Sequence, residues 1–439
     1  MTDPFQKLRE QLITVFQKTL KEELFGGASL ALYHRGEKIL SLYGGWKDAA
    51  STQPWEADTI TLIWSAGKGV AAACLLHALQ EKQISLNRRV AEFWPEFAQA
   101  GKEKITIDQL LSHRAGLAAL DQKGLSLTDH EAIVQALAAQ PPNWSNDRPF
   151  SKLAAGDERQ EADGAQRLSV SLHTCGVAAA GSTAVRQPVR ARLAGASTGA
   201  TQPVAPAVEF RESSSHGYGA RTFGFLIDEL LRRITGATSL SNYWRTQFAD
   251  PLELNLWFGI PESLLSKTAD VIPAKTAPPP SDFGTAYADP SSLTRRAFME
   301  PGGNFSTLAM NQPALRQASI ISSGAISTAD ALAKFYSLLA TQDDTRYFNS
   351  TTRRWMETPM TSGQDRVFLK ETIFSAGFMM SGNLNIFPSS RSFGHPGAGG
   401  ATAFAIPEAE LGFAFLPNAM HHGVFSGSRT QRFIEAFAE

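Results

Sequence analysis

A serine and a lysine three residues apart give the first chemical signal in the sequence. Residues 67–82 form an apolar, alanine-rich run whose pattern predicts a buried helix. Ser65 lies just before this run and Lys68 lies at its beginning. Residues i and i+3 of a helix share one face, so we expect the lysine amine near the serine hydroxyl. A serine needs a base to become a nucleophile, and a lysine serves when burial lowers its pKa. By itself, an S-x-x-K string also arises by chance.

Two later segments carry groups of matching chemistry. Tyr218 is followed by Gly-Ala and precedes an amphipathic stretch, residues 222–236, that predicts a helix. His395 lies in the glycine-rich string Phe-Gly-His-Pro-Gly-Ala-Gly-Gly, ahead of two predicted strands. A tyrosine at a helix entry often only packs, and a glycine-rich strand edge often only turns. Such an edge also lets a ligand approach the backbone and meet its N–H groups.

Taken in order, these motifs resemble those of the serine β-lactamase and penicillin-binding protein superfamily. The resemblance is strongest to its class C-like branch, which includes the family VIII carboxylesterases. It covers residues 10–435 except for about 147–214. The motifs are Ser65-Ala-Gly-Lys68, Tyr218-Gly-Ala in place of Tyr-x-Asn, and His395-Pro-Gly397 in place of Lys-Thr-Gly. Supporting strings are Leu110-Leu-Ser-His-Arg-Ala-Gly-Leu117, Ile321-Ser-Ser-Gly-Ala-Ile-Ser-Thr328 and Ala376-Gly-Phe-Met379.

The resemblance implies catalytic roles for several groups in these motifs. Ser65 would be the acylated nucleophile. Lys68 and Tyr218 would share the duty of general base, and Tyr218 would protonate the leaving group. The backbone N–H groups of Ser65 and Ala398 would form the oxyanion hole, which is usually a large electrostatic contribution to catalysis.

The substrate side of the implied site departs from the β-lactamase pattern. His395, Gly397 and Trp64 would line it, and His395 would help to hold Tyr218 and the polar end of the substrate. Ala220 replaces an asparagine that contacts the side-chain amide of β-lactams, and His395 replaces a lysine that recognises the lactam carboxylate. Both changes favour smaller, less anionic substrates.

The leading hypothesis is therefore a serine hydrolase that forms an acyl-enzyme on Ser65, a carboxylesterase or lactone hydrolase of small esters. β-Lactamase, D-aminopeptidase or carboxypeptidase activity stays open, as does an inactive protein of the same fold. Gly195-Ala-Ser197-Thr-Gly199 matches the nucleophile string of α/β-hydrolases, but it lacks the flanking strand and helix that this motif needs. His77 and His113 are interpreted as packing residues, on a helix face and in a loop.

Composition argues against several other classes of function. The chain has 439 residues, 43% of them hydrophobic, and a net charge of -1, so no basic excess indicates a nucleic-acid partner. No apolar run is long enough for a membrane span, and the N-terminal pattern is not that of a secretory signal. Two cysteines, Cys74 and Cys175, without metal-ligand spacing give no disulfide framework. We expect a cytoplasmic enzyme of a small ester, lactone or lactam, without metal or cofactor.

The elements that must position these groups come from both ends of the chain. Strands are predicted at 28–33, 38–43, 374–380, 391–394, 402–406 and 411–417, and helices at 3–24, 67–82, 105–111, 222–236, 327–340 and 428–438. This order is typical of an α+β fold, in which an antiparallel β-sheet is flanked by helices and carries an inserted helical lobe. The resemblance implies the same β-lactamase/transpeptidase-like fold, with a sheet lobe from about 1–66 and 325–439 of a single domain over 1–439.

Residues 147–214 differ in composition from the rest of the chain. They contain no Trp, Tyr, Ile, Met or Asn and are dense in small residues, Arg, Gln and Pro. They show no helical or strand periodicity, and so long a structureless stretch is rare inside a compact domain. The pattern predicts an atypical, disordered insertion, and a translated non-homologous piece such as a frame error stays an alternative. The stretch ends just before Tyr218, where a misplaced loop would damage the enzyme.

Overall fold

The largest element of the computed structural model is an eight-stranded sheet. The structure describes residues 3–22, 26–144, 215–275, 278–303, 306–422, 425 and 427–438. These described residues all belong to one of the two units into which the chain divides. The segment 147–214, with Cys175 and the string around Ser197, lies outside the described residues.

Strands from the first and last parts of the chain pair with each other. Along the chain they are β1 (Gly27–His34), β2 (Glu37–Gly45), β3 (Thr61–Leu62), β4 (Leu256–Phe258), β5 (Ala325–Ser327), β6 (Thr361–Gln364), β7 (Glu371–Phe374), β8 (Met379–Met380), β9 (Phe393–Pro396), β10 (Thr402–Ile406) and β11 (Leu411–Pro417). The large antiparallel sheet has the order β2-β1-β11-β10-β9-β8-β7-β6, and β3-β5-β4 form a small second sheet. The strands predicted at 28–33 and 38–43 are confirmed and pair as a hairpin, with Leu30 opposite Leu42. Strand β1 also pairs with β11, with Ala28 opposite Pro417.

The described helices include all those that the apolar periodicity predicts, to within a few residues, and others that it does not predict. They are α1 (Gln6–Glu22), α2 (Gly67–Glu81), α3 (Ile107–Leu111), α4 (His130–Ala139), α5 (Thr222–Thr235), α6 (Leu240–Trp244), α7 (Asp282–Ala288), α8 (Leu293–Met299), α9 (Pro313–Gln317), α10 (Ala329–Ala340), α11 (Ser350–Glu357) and α12 (Ser428–Glu435). Helix α10 begins at Ala329, two residues after the predicted start, and Thr328 caps it, because the Thr328 hydroxyl accepts the Ala331 N–H. Among the described helices, none has the length and apolar character needed to cross a membrane.

Helices cover both faces of the large sheet. Successive strand residues point to opposite faces, so each face has its own core. In β11, Phe413 joins the core cluster that includes Phe16 of α1 and Phe433 of α12. Its neighbour Ala414 joins the cluster that includes Leu332 of α10. The sheet is therefore a layer between two sets of helices.

Helix α2 lies in the interior, as its small residues predict. Residues 67–79 are all buried, and the helix packs against α5, α6 and β9. Its glycines and alanines let these neighbours approach closely. This packing fixes the backbone that carries Ser65 and Lys68.

The single strand predicted at 374–380 is wrong. Strand β7 ends at Phe374 and β8 begins at Met379. Gly377 turns the chain between them with φ +85°, a conformation that glycine adopts readily. A Cβ at Gly377 would lie 2.3 Å from the Cβ of Ala72, so the turn lies tightly against α2. Burial of the turn gives it the apolar character of a strand.

Candidate active site

Ser65 and Lys68 lie one turn apart at the start of the buried helix. A short 3₁₀ turn, Trp64–Ala66, leads directly into α2. The Lys68 Nζ lies 3.1 Å from the Ser65 Oγ. Ser65 is 9% exposed, whereas Lys68 is fully buried. The structure thus brings together the two groups that the i, i+3 spacing predicts to be neighbours.

Two backbone carbonyls also hold the Lys68 amine. Its Nζ donates to the Ala220 oxygen at 2.8 Å and to the Ser322 oxygen at 2.7 Å. Burial lowers the pKa of Lys68 well below its ordinary value, because little solvent reaches the ammonium form. In the neutral amine, two N–H bonds serve the two carbonyls, and the lone pair remains for the Ser65 hydroxyl proton.

Tyr218 lies beside Lys68, on the turn that precedes α5. Its ring centroid is 5.0 Å from the Lys68 Nζ, and Phe368 stacks on the ring at 4.5 Å between centroids. Burial raises the pKa of Tyr218, and the nearby Ser65 side chain opposes that shift. The phenol is therefore protonated at neutral pH. Its hydroxyl makes no hydrogen bond of ordinary geometry within the described part of the protein.

The glycine-rich segment reaches the serine through its backbone. Strand β9 packs beside the 3₁₀ turn that carries Ser65. A Cβ at Gly397 would lie 2.3 Å from the Ile63 carbonyl oxygen, so this approach requires a glycine. Ser65 and Ala398 each stand in the first turn of a short 3₁₀ helix. Backbone N–H groups at such positions have no acceptor within their own helix.

His395 adds a neutral ring to the group. The ring lies on β9, 5.7 Å from the Tyr218 ring between centroids, and is 1% exposed. Its Nδ1–H donates to the Pro396 carbonyl oxygen at 2.7 Å, which leaves Nε2 as an acceptor. Burial lowers the pKa of His395 to about 3. The position therefore holds no fixed cation at neutral pH.

Trp64 and Ala220 border the same groups in different ways. Trp64 immediately precedes the serine with a left-handed φ of 50°. Its half-buried side chain packs, as does that of Met420, against a small apolar cluster that includes Leu62. Ala220 gives its carbonyl oxygen to Lys68, and its methyl group brings no amide to the site.

Three residues that contact these groups were not predicted as part of a site. Ser322 accepts the Lys68 N–H through its carbonyl, and His113 and Asp365 hold the turn around Tyr218. His113 was interpreted only as a packing residue. The sequence signal for His113 and for Ser322 was that each lies in one of the supporting strings of the family resemblance. Asp365 had no such signal.

The fold and this buried serine, lysine and tyrosine define a serine hydrolase of the β-lactamase/transpeptidase-like class. The sequence matches the family described as Beta-lactamase over residues 12–152 and 178–436. The chain therefore belongs to the beta-lactamase family. The matched ranges include residues 178–214 of the segment with atypical composition.

Individual relatives agree with this family. The esterase/beta-lactamase LipL of Mycobacterium tuberculosis is 25% identical over 429 residues, which cover 93% of this chain and 81% of that protein. The solved structure of a penicillin-binding protein homolog from Caulobacter crescentus matches this chain with a TM-score of 0.75. The two sequences are 26% identical, and the match covers 98% of this chain and 96% of that chain. A family VIII carboxylesterase has a TM-score of 0.74 at 26% identity, with 98% and 96% covered. The predicted family, fold and enzyme class are confirmed.

Proposed function

We propose that this enzyme is a carboxylesterase that forms an acyl-enzyme on Ser65, with small uncharged esters or lactones as substrates. The observation that carries the proposal is the environment of the Lys68 amine. It combines full burial, two carbonyl acceptors and a 3.1 Å contact with the Ser65 hydroxyl. Burial with no charged group among these partners favours a neutral amine, which is the form able to act as a base. Likeness to a family VIII carboxylesterase supports the same class of reaction.

Acylation in this proposal proceeds through an oxyanion. The Ser65 oxygen attacks the ester carbonyl carbon while the Lys68 Nζ accepts the hydroxyl proton. The carbonyl oxygen becomes negatively charged and accepts hydrogen bonds from the N–H groups of Ser65 and Ala398. The C–O bond to the leaving alcohol breaks, and the departing oxygen takes a proton from the Tyr218 hydroxyl. Transfer of the Lys68 proton to Tyr218 restores both groups beside the acyl-enzyme.

Deacylation uses the same groups. A water molecule attacks the acyl carbon and gives a proton to the Lys68 Nζ. The bond between the acyl carbon and the Ser65 oxygen then breaks, and this oxygen takes that proton back from Lys68. The directions of the pKa shifts support this division of labour. Burial lowers the pKa of Lys68, so that the amine is unprotonated and can accept a proton, and raises that of Tyr218, so that the phenol is protonated and can donate one.

The electrostatics of the site favour uncharged substrates. His395 is neutral, and Ala220 offers no side-chain amide, so these two positions do not recognise a lactam carboxylate or its side-chain amide. We therefore rank esters and lactones above β-lactams. β-Lactamase activity is the second candidate, and the name of the relative LipL, an esterase/beta-lactamase, supports it.

Covalent labelling tests the nucleophile. We expect the wild type to react with a fluorophosphonate probe and to release a burst of nitrophenol from p-nitrophenyl acetate. Ser65→Ala should abolish both, whereas Ser85→Ala, at an exposed serine, should change neither. Labelling that survives Ser65→Ala refutes the assignment, and a folded wild type without labelling or burst indicates an inactive protein. Nitrocefin turnover as fast as ester turnover overturns the ranking of substrates.

We also propose that the enzyme acts in the cytoplasm. Cys74 is a free thiol buried in α2, as is common in proteins of a reducing compartment. Fractionation of the source cells tests this location. Recovery of the enzyme outside the cytoplasmic fraction would contradict it.

A further inference from the structure

The turn that carries Tyr218 is held at three consecutive backbone N–H groups. The Gly217 N–H donates to the His113 carbonyl oxygen at 3.1 Å. The Gly219 N–H donates to the His113 Nδ1 at 3.2 Å. Between them, the Tyr218 N–H donates to Asp365 Oδ1 at 3.2 Å. His113 thus binds the residues on both sides of the tyrosine, through its backbone and through its ring.

The His113 ring also packs against the phenol. Its centroid lies 5.1 Å from that of Tyr218 and 4.5 Å and 4.6 Å from those of Phe223 and Phe374. His113 is 6% exposed and has a left-handed φ of 60°. Histidine, asparagine and aspartate adopt this conformation more readily than other residues with side chains. The ring is therefore fixed between the tyrosine and the aromatic core.

These contacts require a neutral His113. Because Nδ1 accepts the Gly219 N–H, the ring proton lies on Nε2. Burial lowers the pKa of His113 well below its ordinary value, and the neighbouring His395, Lys68 and His216 act in the same direction. The acceptor at Nδ1 therefore persists at neutral pH.

We propose that His113 is a positioning residue that fixes the Tyr218 hydroxyl for proton transfer to the leaving group. This inference rests on the proposed role of Tyr218 as the general acid. Loss of the ring acceptor leaves the Gly219 N–H without its partner in a buried turn, so the phenol shifts. The backbones of Ser65 and Lys68 stay in place, because the 3₁₀ turn Trp64–Ala66 and α2 carry them. Of the Lys68 contacts, the one to the Ala220 carbonyl adjoins this turn, whereas those to Ser65 and Ser322 do not. The step that slows is therefore protonation of the leaving group by Tyr218.

Two variants of the same shape test this proposal. His113→Asn keeps an acceptor oxygen near the position of Nδ1, whereas His113→Leu has the same branching without an acceptor. Their kcat/KM values are compared on a p-nitrophenyl ester, which leaves unprotonated, and on the matching alkyl ester, whose alkoxide needs a proton. We expect His113→Leu to lose about 10–100-fold more on the alkyl ester than on the nitrophenyl ester. His113→Asn should show no more than about a threefold difference between the two esters.

A double-mutant cycle separates positioning from general damage. If His113 acts through Tyr218, His113→Leu costs little further activity once Tyr218→Phe has removed the hydroxyl. Equal losses on both esters, or additive losses in the double variant, overturn the proposal. A Tyr218→Phe variant with full activity on the alkyl ester instead refutes the proposed general acid itself. Thermal unfolding checks that each variant folds. If His113→Leu does not fold, His113→Gln replaces it in both comparisons, because its amide corresponds to the position of Nε2 and leaves that of Nδ1 without an acceptor.

Discussion

Replacement of Lys68 by methionine tests whether the buried amine is neutral. Methionine keeps an unbranched side chain of similar length and removes the amine. In the wild type, the partners of the Lys68 Nζ are the Ser65 hydroxyl and the carbonyls of Ala220 and Ser322. None of these partners carries the negative charge that would hold an ammonium, and the side chain has no exposed surface through which solvent would stabilise a charge.

The direction of the Lys68 pKa shift fixes the sign of the effect on stability. Since the pKa is lowered in the folded protein, the unfolded chain binds more protons between the folded and the ordinary pKa. Wild-type stability therefore falls as the pH is lowered through that window, by at most about 1.4 kcal/mol per pH unit. The Lys68→Met variant has no amine at this position, so its stability lacks this dependence on pH. Its free energy of unfolding relative to the wild type should rise by up to about 2.7 kcal/mol from about pH 9 to about pH 7.

A second effect of Lys68→Met has the opposite sign and does not depend on pH. The carbonyl oxygens of Ala220 and Ser322 lose their donor, which costs about 1–3 kcal/mol for each buried acceptor. The sign of the stability difference at any one pH therefore depends on the balance of the two effects. The diagnostic quantity is the change of the stability difference with pH, not its value at one pH.

Urea unfolding of both proteins at about pH 9, 8 and 7 measures this change. Other titrating groups are common to both proteins and largely cancel. Ester turnover of Lys68→Met should fall by about 10²–10⁴-fold, the usual contribution of a general base. A stability difference that stays constant over this range would show that Lys68 is charged in the folded protein, and the assignment of the base would be wrong.

Four other substitutions probe Gly397, His395, Asp365 and Ser197. In Gly397→Ala, the new Cβ would lie 2.3 Å from the Ile63 oxygen, so β9 must shift and kcat should fall about 10²-fold; an unchanged kcat contradicts the oxyanion hole. His395→Gln should change the level of kcat/KM but not the shape of its profile between about pH 5 and pH 8, because burial already lowers the pKa of the ring to about 3. Loss of an inflection in that range would contradict a neutral ring. Asp365→Ala removes the acceptor of three backbone N–H groups and should lower the free energy of unfolding by about 2–4 kcal/mol, measured in urea; a loss below about 1 kcal/mol speaks against that role. Ser197→Ala should leave ester turnover unchanged, and a large loss would restore the α/β-hydrolase interpretation.

The sequence predicts those contacts of the site that lie within one helix turn. The contact between Ser65 and Lys68 follows from their spacing, because residues i and i+3 of a helix are neighbours in any fold. Tyr218 and His395 come from distant segments, and no local rule places them beside that pair. Their prediction depended on the order of the motifs and on the resemblance to a family.

The sequence does not predict contacts that depend on irregular backbone conformation. His113 reaches Tyr218 because its own backbone is left-handed and because the turn at 217–219 presents its N–H groups to it. Asp365 reaches the same turn across a single bridge between residues 216 and 365. Neither feature has a periodicity that a sequence pattern reveals. The break between β7 and β8 was missed for a similar reason, since Gly377 turns a segment that burial had made apolar.

A neutral resting site is the physical feature that joins the proposed mechanism to its substrates. Burial favours the uncharged forms of Lys68, Tyr218 and His395 together. Such a site avoids the desolvation cost of buried ions and offers no cation to an incoming carboxylate. Charge separates only during the reaction, as an ammonium on Lys68 and an oxyanion on the substrate, where a low dielectric strengthens their attraction. The same burial therefore selects molecules that enter uncharged and become ionic in the transition state, which describes esters and lactones better than carboxylate-bearing β-lactams.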